Sequence, residues 1–415
     1  MSHSTPPSRC LIPCVVTIVG KVVYIVGGGS NQLSLVHEAK RLGHRVVVSD
    51  INENPPCRSE ADYFERVDTV DRAGSLVVAR KYKVDGVITD QTDAAVPTVA
   101  LIAEELGLPG IGFETALRFT NKELMRRTMA GDQLVNIPES QYYDNSYAAV
   151  EFVNKSGRPP RYWIVKPVNS QGSKGVNRLT GLDDIDKFQD AITESRDKGI
   201  LVEKFIEGDE YSVEAFVKDG IVHNLAVTKK FHYPQNECID FRNTYLGDIP
   251  RTTEDALFAA NQATISRLGL RNGSTHGEFK VSGKEIYLME IAARGGGGNI
   301  SGKIIPFLTD FNPSAALIHT CLDENFDVIF SNYQDRFAVM RFFDFDRGTL
   351  KSITYDYEFS KTLLHFDLNV TAESIIRPIH NSRDRPGYFI VADFDRSVVL
   401  ENEKVFLSSF DLAYT

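Results

Sequence analysis

Cysteine is scarce in this chain. Five residues (Cys10, Cys14, Cys57, Cys238 and Cys321) are scattered over 415 positions. That number is too small, and odd, so it does not fit a disulfide framework and points to a reducing cytoplasm. Cys10 and Cys14 have no second Cys/His pair at ligand spacing, so no zinc site is read there. A long apolar run is missing too. Residues 11–29 come nearest, but Lys21 and a run of glycines interrupt them, and a membrane span needs about 20 apolar residues. Positive charge is also in deficit: 46 Lys and Arg stand against 56 Asp and Glu, a formal net charge of −10. That argues against a nucleic-acid binder, while leaving room for a small basic pocket in an acidic chain. There is no internal repeat and no low-complexity tract. The remaining composition is that of an ordinary globular protein, 42% hydrophobic and 25% charged, long enough for two to four domains at about 100–200 residues each.

Residues 1–20 read as a poorly ordered extension. A signal peptide is the sharper alternative, but the β-branched run 21–26 leads directly into a glycine turn of a folded domain. After that turn, residues 32–42 carry helical apolar spacing, and Arg45–Ser49 is a second strand ending at Asp50. This is the opening of a doubly wound parallel sheet. The turn Gly27-Gly28-Gly29-Ser30-Asn31-Gln32 lacks the full G-x-G-x-x-G spacing, so a nicotinamide cofactor is not read from it. A helix at 72–81, a strand at 86–89 and a helix at Val96–Leu106 complete an N-terminal α/β domain over residues 21–115.

Residues 116–310 read as a mixed α+β domain. It opens on a basic helix over 121–129. Trp163–Pro167 is a strand ending in Lys166, and a small-residue loop over 170–176 follows it. Next come a helix at 183–196, a strand at 200–206 and a hairpin pairing 211–217 with 221–227. Residues 311–415 read as a C-terminal β-rich appendage with strands at 337–343, 388–392 and 397–400.

Four patterns carry chemistry. Lys166 supplies a point charge, and the loop with Ser170, Gly172, Ser173, Gly175 and Val176 can bring backbone N–H groups close to phosphate oxygens. A flexible loop beside a solvated lysine is an equally plain reading. Glu278 and Glu290 sit in two apolar strands joined by the turn Ser282-Gly283-Lys284, where a hairpin can aim both carboxylates into one site. Unpaired charge is costly there, and two hard oxygens beside phosphates suit Mg²⁺. Arg294 precedes Gly295-Gly296-Gly297-Gly298, a run costly in entropy unless backbone must approach a ligand. The arginine stands where charge would develop in phosphoryl or acyl transfer. Finally, the strand Glu203, Lys204, Phe205 and Ile206 offers backbone atoms to an adenine edge, and Glu210 offers a carboxylate to ribose hydroxyls.

In order and spacing these residues resemble the ATP-grasp superfamily over residues 22–410. The resemblance rests on Lys122, Lys166-Pro167 with the 170–176 loop, the 203–206 strand with Glu210-Tyr211-Ser212-Val213-Glu214, His276-Gly277-Glu278, and Glu290-Ile291-Ala292-Ala293-Arg294 with its glycines. It implies an N-terminal substrate domain of a kind that binds no dinucleotide, a two-part ATP-clamping region whose smaller part spans about 120–205, and a β-rich C-terminal piece. It implies that Lys122, Lys166 and Lys230 contact ATP phosphates and that Glu278 and Glu290 ligate Mg²⁺, with Mn²⁺ as a substitute. Many members carry Asn where this chain has Ala292, so the second metal's coordination departs from the pattern. E-x-A-A-R instead resembles the carboxylate–amine ligases that join amino acids.

The function implied is an ATP-dependent carboxylate–amine ligase working through an acyl phosphate. Arg294 and Lys166 would act on the reacting groups, with His276 near the amine unless it simply packs. The partners implied are ATP, a small carboxylate and a small amine, amino acid or peptide, without nucleic acid or membrane, in a homodimer of the kind common in the family. Two rivals stand beside this: a bicarbonate-using carboxylase or carbamoyl-phosphate-synthase-like enzyme, and a noncatalytic nucleotide-binding subunit.

Overall fold

Val22–Val26 is buried at every position, as expected of a central parallel strand covered on both faces. It pairs with Arg45–Ser49 on one side and Gly86–Ile88 on the other, and Tyr63–Glu65 extends the sheet beyond Arg45–Ser49, all in parallel. The computed structural model describes residues 20–181, 184–331, 333–356 and 361–415. Residues 1–19 of the expected extension, Cys10 and Cys14 among them, lie outside the described residues, as does Asp183 of the expected helix. No helix among the described residues is long and apolar enough to cross a membrane.

The glycine turn after the first strand is filled by the protein itself. A Cβ on Gly28 would stand 3.0 Å from Pro55 and 3.1 Å from Val48. The Gly28 N–H donates to Asp50 Oδ2 at 2.9 Å, so this carboxylate closes the turn. Gln32 accepts from the Gly29 N–H and donates to Asp90 O, tying the turn to the loop after Gly86–Ile88.

Two antiparallel sheets face one cleft. The smaller runs Ser140–Tyr143, Ile200–Lys204, Trp163–Pro167, Asn177–Arg178. The helices Ser146–Lys155 and Ile185–Glu194 bury Val153, Phe188 and Ala191 against Trp163 and Val165. The larger sheet has eight strands. Glu285–Ala292 is at one edge, followed by Gly273–Ser282, Asp209–Lys218, Ile221–Tyr233, Asn236–Tyr245, Phe337–Phe342, Gly387–Asp393 and Leu363–Leu368. Three strands of the β-rich C-terminal region therefore continue this sheet, through Tyr245 opposite Ala338, while Ile375–Ile376, Gly348–Tyr355 and Phe410–Tyr414 form a separate three-stranded sheet.

One expected strand is a helix. Residues 397–400 belong to Arg396–Ser408, where Asp395 accepts from the Ser397 N–H as N-cap. Val399 and Phe406, seven positions apart, are buried on one face against Phe389 and Val391. The β-branched pair Val398-Val399 suggested extension, but an Asp cap and a helical repeat override so short a propensity signal.

Candidate active site

A cavity of about 500 Å³ lies between the two sheets and the loops of the N-terminal domain. It brings together Lys122, Lys166, Ser170, Gly172, Ser173, Val176, Glu203, Lys204, Phe205, Ile206, Glu210, Lys230, His276, Glu278, Glu290 and Arg294. Gly175 is the exception and does not line it. Its φ is +67°, and a Cβ there would stand 3.0 Å from Ala191 and Glu194, so it seats the loop on the helix Ile185–Glu194.

Glu278 and Glu290 are direct cross-strand partners in the hairpin. Each carboxylate is held by a lysine through one oxygen. Lys230 Nζ lies 2.6 Å from Glu278 Oε1, and Lys122 Nζ lies 2.8 Å from Glu290 Oε1. Lys230 also reaches Glu210 Oε1 at 3.0 Å. Its neighbour Lys229 projects the other way, to Asp209 at 3.0 Å, as strand alternation requires. Burial opposes the charge on Lys230, but Glu278 and Glu210 hold its pKa well above the ordinary lysine value. Burial likewise opposes ionisation of Glu210, yet Lys230 and His232 bring it down to about 2.

His276 stands between two carboxylates, with Nδ1 against Glu214 and Nε2 3.4 Å from Glu278 Oε1. Burial works against its proton, but Glu214 and Glu278 outweigh burial and raise it to about 9. As placed, it is a cation bridging the two rather than a free base. Glu214 also accepts from the Gly296 N–H at 3.1 Å, which links the glycine run to this cluster.

Glu203 is enclosed, and its carboxylate faces protein partners. Arg126 Nε lies 2.8 Å from Oε1, and Lys166 Nζ lies 2.5 Å from Oε2. Burial raises the Glu203 pKa, but the two cations more than offset this and leave it lowered; burial leaves Lys166 below its ordinary value. Glu203 thus positions Lys166. The N–H groups of Lys204 and Phe205 donate to Glu139 O and Tyr162 O, and Lys280 Nζ donates to Ile206 O at 3.1 Å. Much of the stretch expected to meet an adenine edge is already engaged.

Arg294 makes a two-point salt bridge to Asp93 and donates to Gly295 O. The glycines behind it have separate reasons. A Cβ on Gly295 would stand 2.3 Å from Ser301 Oγ, on Gly296 2.8 Å from Glu214, and on Gly298, at φ +64°, 2.3 Å from Met340; Gly297 meets nothing within 4 Å. Close packing by the chain's own side chains therefore explains Gly295 and Gly296, with Ile300 Cβ also 2.9 Å from a Cβ on the latter, and the left-handed φ explains Gly298, since the Met340 methyl can move aside. Only Gly297 and Gly298 line the cavity.

The 170–176 loop crosses the cavity mouth and is held from three directions. The Asp93 N–H donates to Gln171 Oε1 at 2.8 Å, Ser173 Oγ donates to Cys238 O at 2.9 Å, and the Ser382 N–H donates to Gly172 O at 3.1 Å. Lys122 Nζ supports it from inside, donating to Ser170 O at 2.9 Å.

Several lining or supporting residues escaped the sequence reading. Asp93 follows the strand Gly86–Ile88, at the carboxyl end of a parallel sheet where ligands gather, and that position was its signal. Glu214 was named in the resemblance without a role, although it shares a strand face with Glu210 and Ser212. Arg385 stacks on Phe342 at 3.6 Å and donates to Asp240 Oδ1 at 2.6 Å. Nothing local in the sequence marks it.

The description ATP-grasp domain matches residues 160–303, and ATP-grasp N-terminal domain matches residues 36–110. A formate-dependent phosphoribosylglycinamide formyltransferase of Prochlorococcus marinus (strain MIT 9515) is 25% identical over 287 residues, 66% of this chain and 70% of that protein. A relative of the same name from Pseudomonas savastanoi pv. phaseolicola is 31% identical, but the match spans only 48% of its length. Among solved structures, an L-amino acid ligase from Bacillus licheniformis aligns with a TM-score of 0.77 at 20% identity, over 95% of this chain and 99% of that one.

Proposed function

This chain belongs to the ATP-grasp superfamily, and from that premise we propose that it is an ATP-dependent carboxylate–amine ligase. The observation that carries the reading is the pairing of Glu278 and Glu290 across one hairpin, beside Lys122, Lys166 and Arg294 in a single cavity. A substrate carboxylate oxygen attacks the γ-phosphorus of ATP, and ADP leaves. The amine nitrogen then attacks the carbon of the resulting acyl phosphate, loses a proton and expels phosphate, leaving an amide.

The hairpin fits Mg²⁺. Lys230, His276 and Lys122 reach only Oε1 of the two carboxylates, so each keeps its other oxygen. No group of three or more His, Cys, Asp or Glu suited to a metal occurs among the described residues, so the remaining ligands would be phosphate and water, as Mg²⁺ prefers. Bound there, Mg²⁺ or Mn²⁺ supplies charge neutralisation across the phosphates. Lys122 exchanges Glu290 for a phosphate oxygen when nucleotide enters. Lys166, positioned by Glu203, offsets charge from the facing sheet, and Lys230 does so from the large sheet. The 203–206 segment and Glu210 border the nucleoside end. Arg294 keeps two N–H donors outside its three hydrogen bonds, and these stabilise the tetrahedral species. The 170–176 loop with Ser170, Gly172 and Ser173 excludes water, which would hydrolyse the acyl phosphate. In this division of labour residues 21–115 and 311–415 contribute the acceptor end and 116–310 the nucleotide end.

The acid and amine are small. The relatives' names nominate formate with phosphoribosylglycinamide and pairs of L-amino acids as first trials. The three cysteines among the described residues are unpaired, which supports a cytoplasmic location; a homodimer is the assembly to test by light scattering. The deciding experiment is an ADP-release screen over a matrix of acids and amines, bicarbonate included, with product mass detection. We expect ADP to form with one acid–amine pair and a product of their summed mass less water. No ADP with any pair, or ADP with bicarbonate alone, would overturn the assignment.

A further inference from the structure

A second cavity, of about 380 Å³, shares Arg294 with the first. It is bounded by the edge strand Gly86–Ile88, the helix Val96–Leu106, the start of Gly273–Ser282 and the end of the helix Pro313–Cys321. Its size falls within the range of small-molecule sites. Val87, Val99, Ile111, Leu317 and Phe326 give it apolar walls.

One polar group is stranded in that wall. Ser274 is 4% exposed, and its hydroxyl has no hydrogen-bond partner among the described residues. A buried hydroxyl is unfavourable without a partner, so a ligand atom there is favoured. Two carboxylates and one ammonium, that of Lys218, stand at the mouth without an ion-pair partner among the described residues, and Arg271 Nη2 donates to Asp219 O at 3.5 Å, leaving a small excess of negative charge. Asp219 and Asp323 line it, and neither carboxylate forms an ion pair among the described residues. The other charged groups at the rim are engaged. Lys218 Nζ donates to Phe326 O and to Asn325 Oδ1, while Glu324 holds Lys21 at 2.9 Å and His319 at 2.8 Å.

We propose that this cavity is a second ligand site, for a small amine whose apolar body ends in a hydroxyl or amide. The polar end meets Ser274, the body fills the apolar walls and the ammonium sits between Asp219 and Asp323 at the mouth. Binding here needs no turnover, so its failure leaves the ligase reading intact.

The test is titration calorimetry on the full chain with tyramine, 2-phenylethylamine and 4-hydroxyphenylacetate as probes. Tyramine is expected to bind saturably, and 4-hydroxyphenylacetate about tenfold more weakly or worse because its charge is reversed. Ser274→Ala should weaken tyramine and leave 2-phenylethylamine unchanged. Val99→Trp should fill the cavity and abolish binding; if circular dichroism shows that variant unfolded, the paired variant Asp219→Asn/Asp323→Asn, expected to weaken both amines, takes its place. Absence of saturable tyramine binding, equal binding of the carboxylate, or indifference to Ser274→Ala would each overturn the proposal.

Discussion

Asp93 and Arg294, 201 positions apart in the chain, meet in a two-point salt bridge, with Nε 3.0 Å from Oδ1 and Nη2 2.9 Å from Oδ2. The bridge joins the N-terminal domain to the glycine run of the large sheet's hairpin. Breaking a buried pair leaves an uncompensated charge and costs about 3–5 kcal/mol. Asp93→Asn is therefore expected to lower unfolding free energy by roughly that amount in urea titration, and to lower kcat more than it changes ATP affinity. Wild-type stability in the variant would show that the bridge is not maintained.

Arg294→Ala tests the chemistry itself. ATP binding, followed by calorimetry, should be largely retained, because the phosphates are assigned to Lys122, Lys166 and Lys230. Product formation should vanish. Unchanged turnover in this variant would remove Arg294 from the reaction.

Glu290→Gln separates metal from nucleotide. The substitution releases Lys122, which now sits 2.8 Å from Glu290. Metal-free ATP should bind at least as well as to wild type, while the dependence of activity on Mg²⁺ concentration moves to higher values or disappears. A Mg²⁺ profile identical to wild type would mean that the hairpin does not hold the metal.

Acid stability follows from Glu203. Burial raises its pKa, but Arg126 and Lys166 prevail and leave it below the ordinary 4.5. A depressed carboxylate contributes stability that is fully present above its unfolded value and is lost as pH falls through the folded one. Chemical denaturation of wild type should therefore weaken steeply below pH 4.5. In Glu203→Gln the slope there should be shallower and the stability at neutral pH lower. An unchanged acid slope would exclude Glu203 as its source.

The glycine run makes a steric prediction. Gly297→Ala should fold with an unaltered Tm, because nothing lies within 4 Å of a Cβ there. Gly296→Ala, which meets Glu214 at 2.8 Å and Ile300 at 2.9 Å, should lose about 1–3 kcal/mol in thermal or urea unfolding.

Glu278 and Glu290 were legible because each interrupts an apolar strand, where an unpaired charge is unfavourable and demands a reason; Lys166 stood out by ending a strand just before a small-residue loop. Their immediate partners were less so. The lysine that answers Glu290 comes from a helix 168 positions earlier, and single-sequence spacing cannot pair such distant groups. The N-terminal parallel sheet was legible from its uniformly apolar strands, whereas the helix Arg396–Ser408 was not, since Val398-Val399 favours extension until its cap and buried face are seen together. The glycines were noticed for a sound reason, their entropy, but a ligand was not the reason for all of them: Ser301 and Ile300 crowd Gly295 and Gly296, contacts that exist only once the sheet and the following turn have closed, while Gly297 and Gly298 line the cavity.

The 170–176 loop is fastened to Asp93, Cys238 and Ser382, which belong to three separate stretches of the chain. On the proposed function, admitting nucleotide or releasing product would require all three fastenings to yield together, at roughly 1 kcal/mol each. On the same reading such a loop would act as a coincidence detector, settling fully only when the N-terminal domain, the large sheet and the C-terminal region are in register, which would tie closure to the placement of distant parts of the molecule.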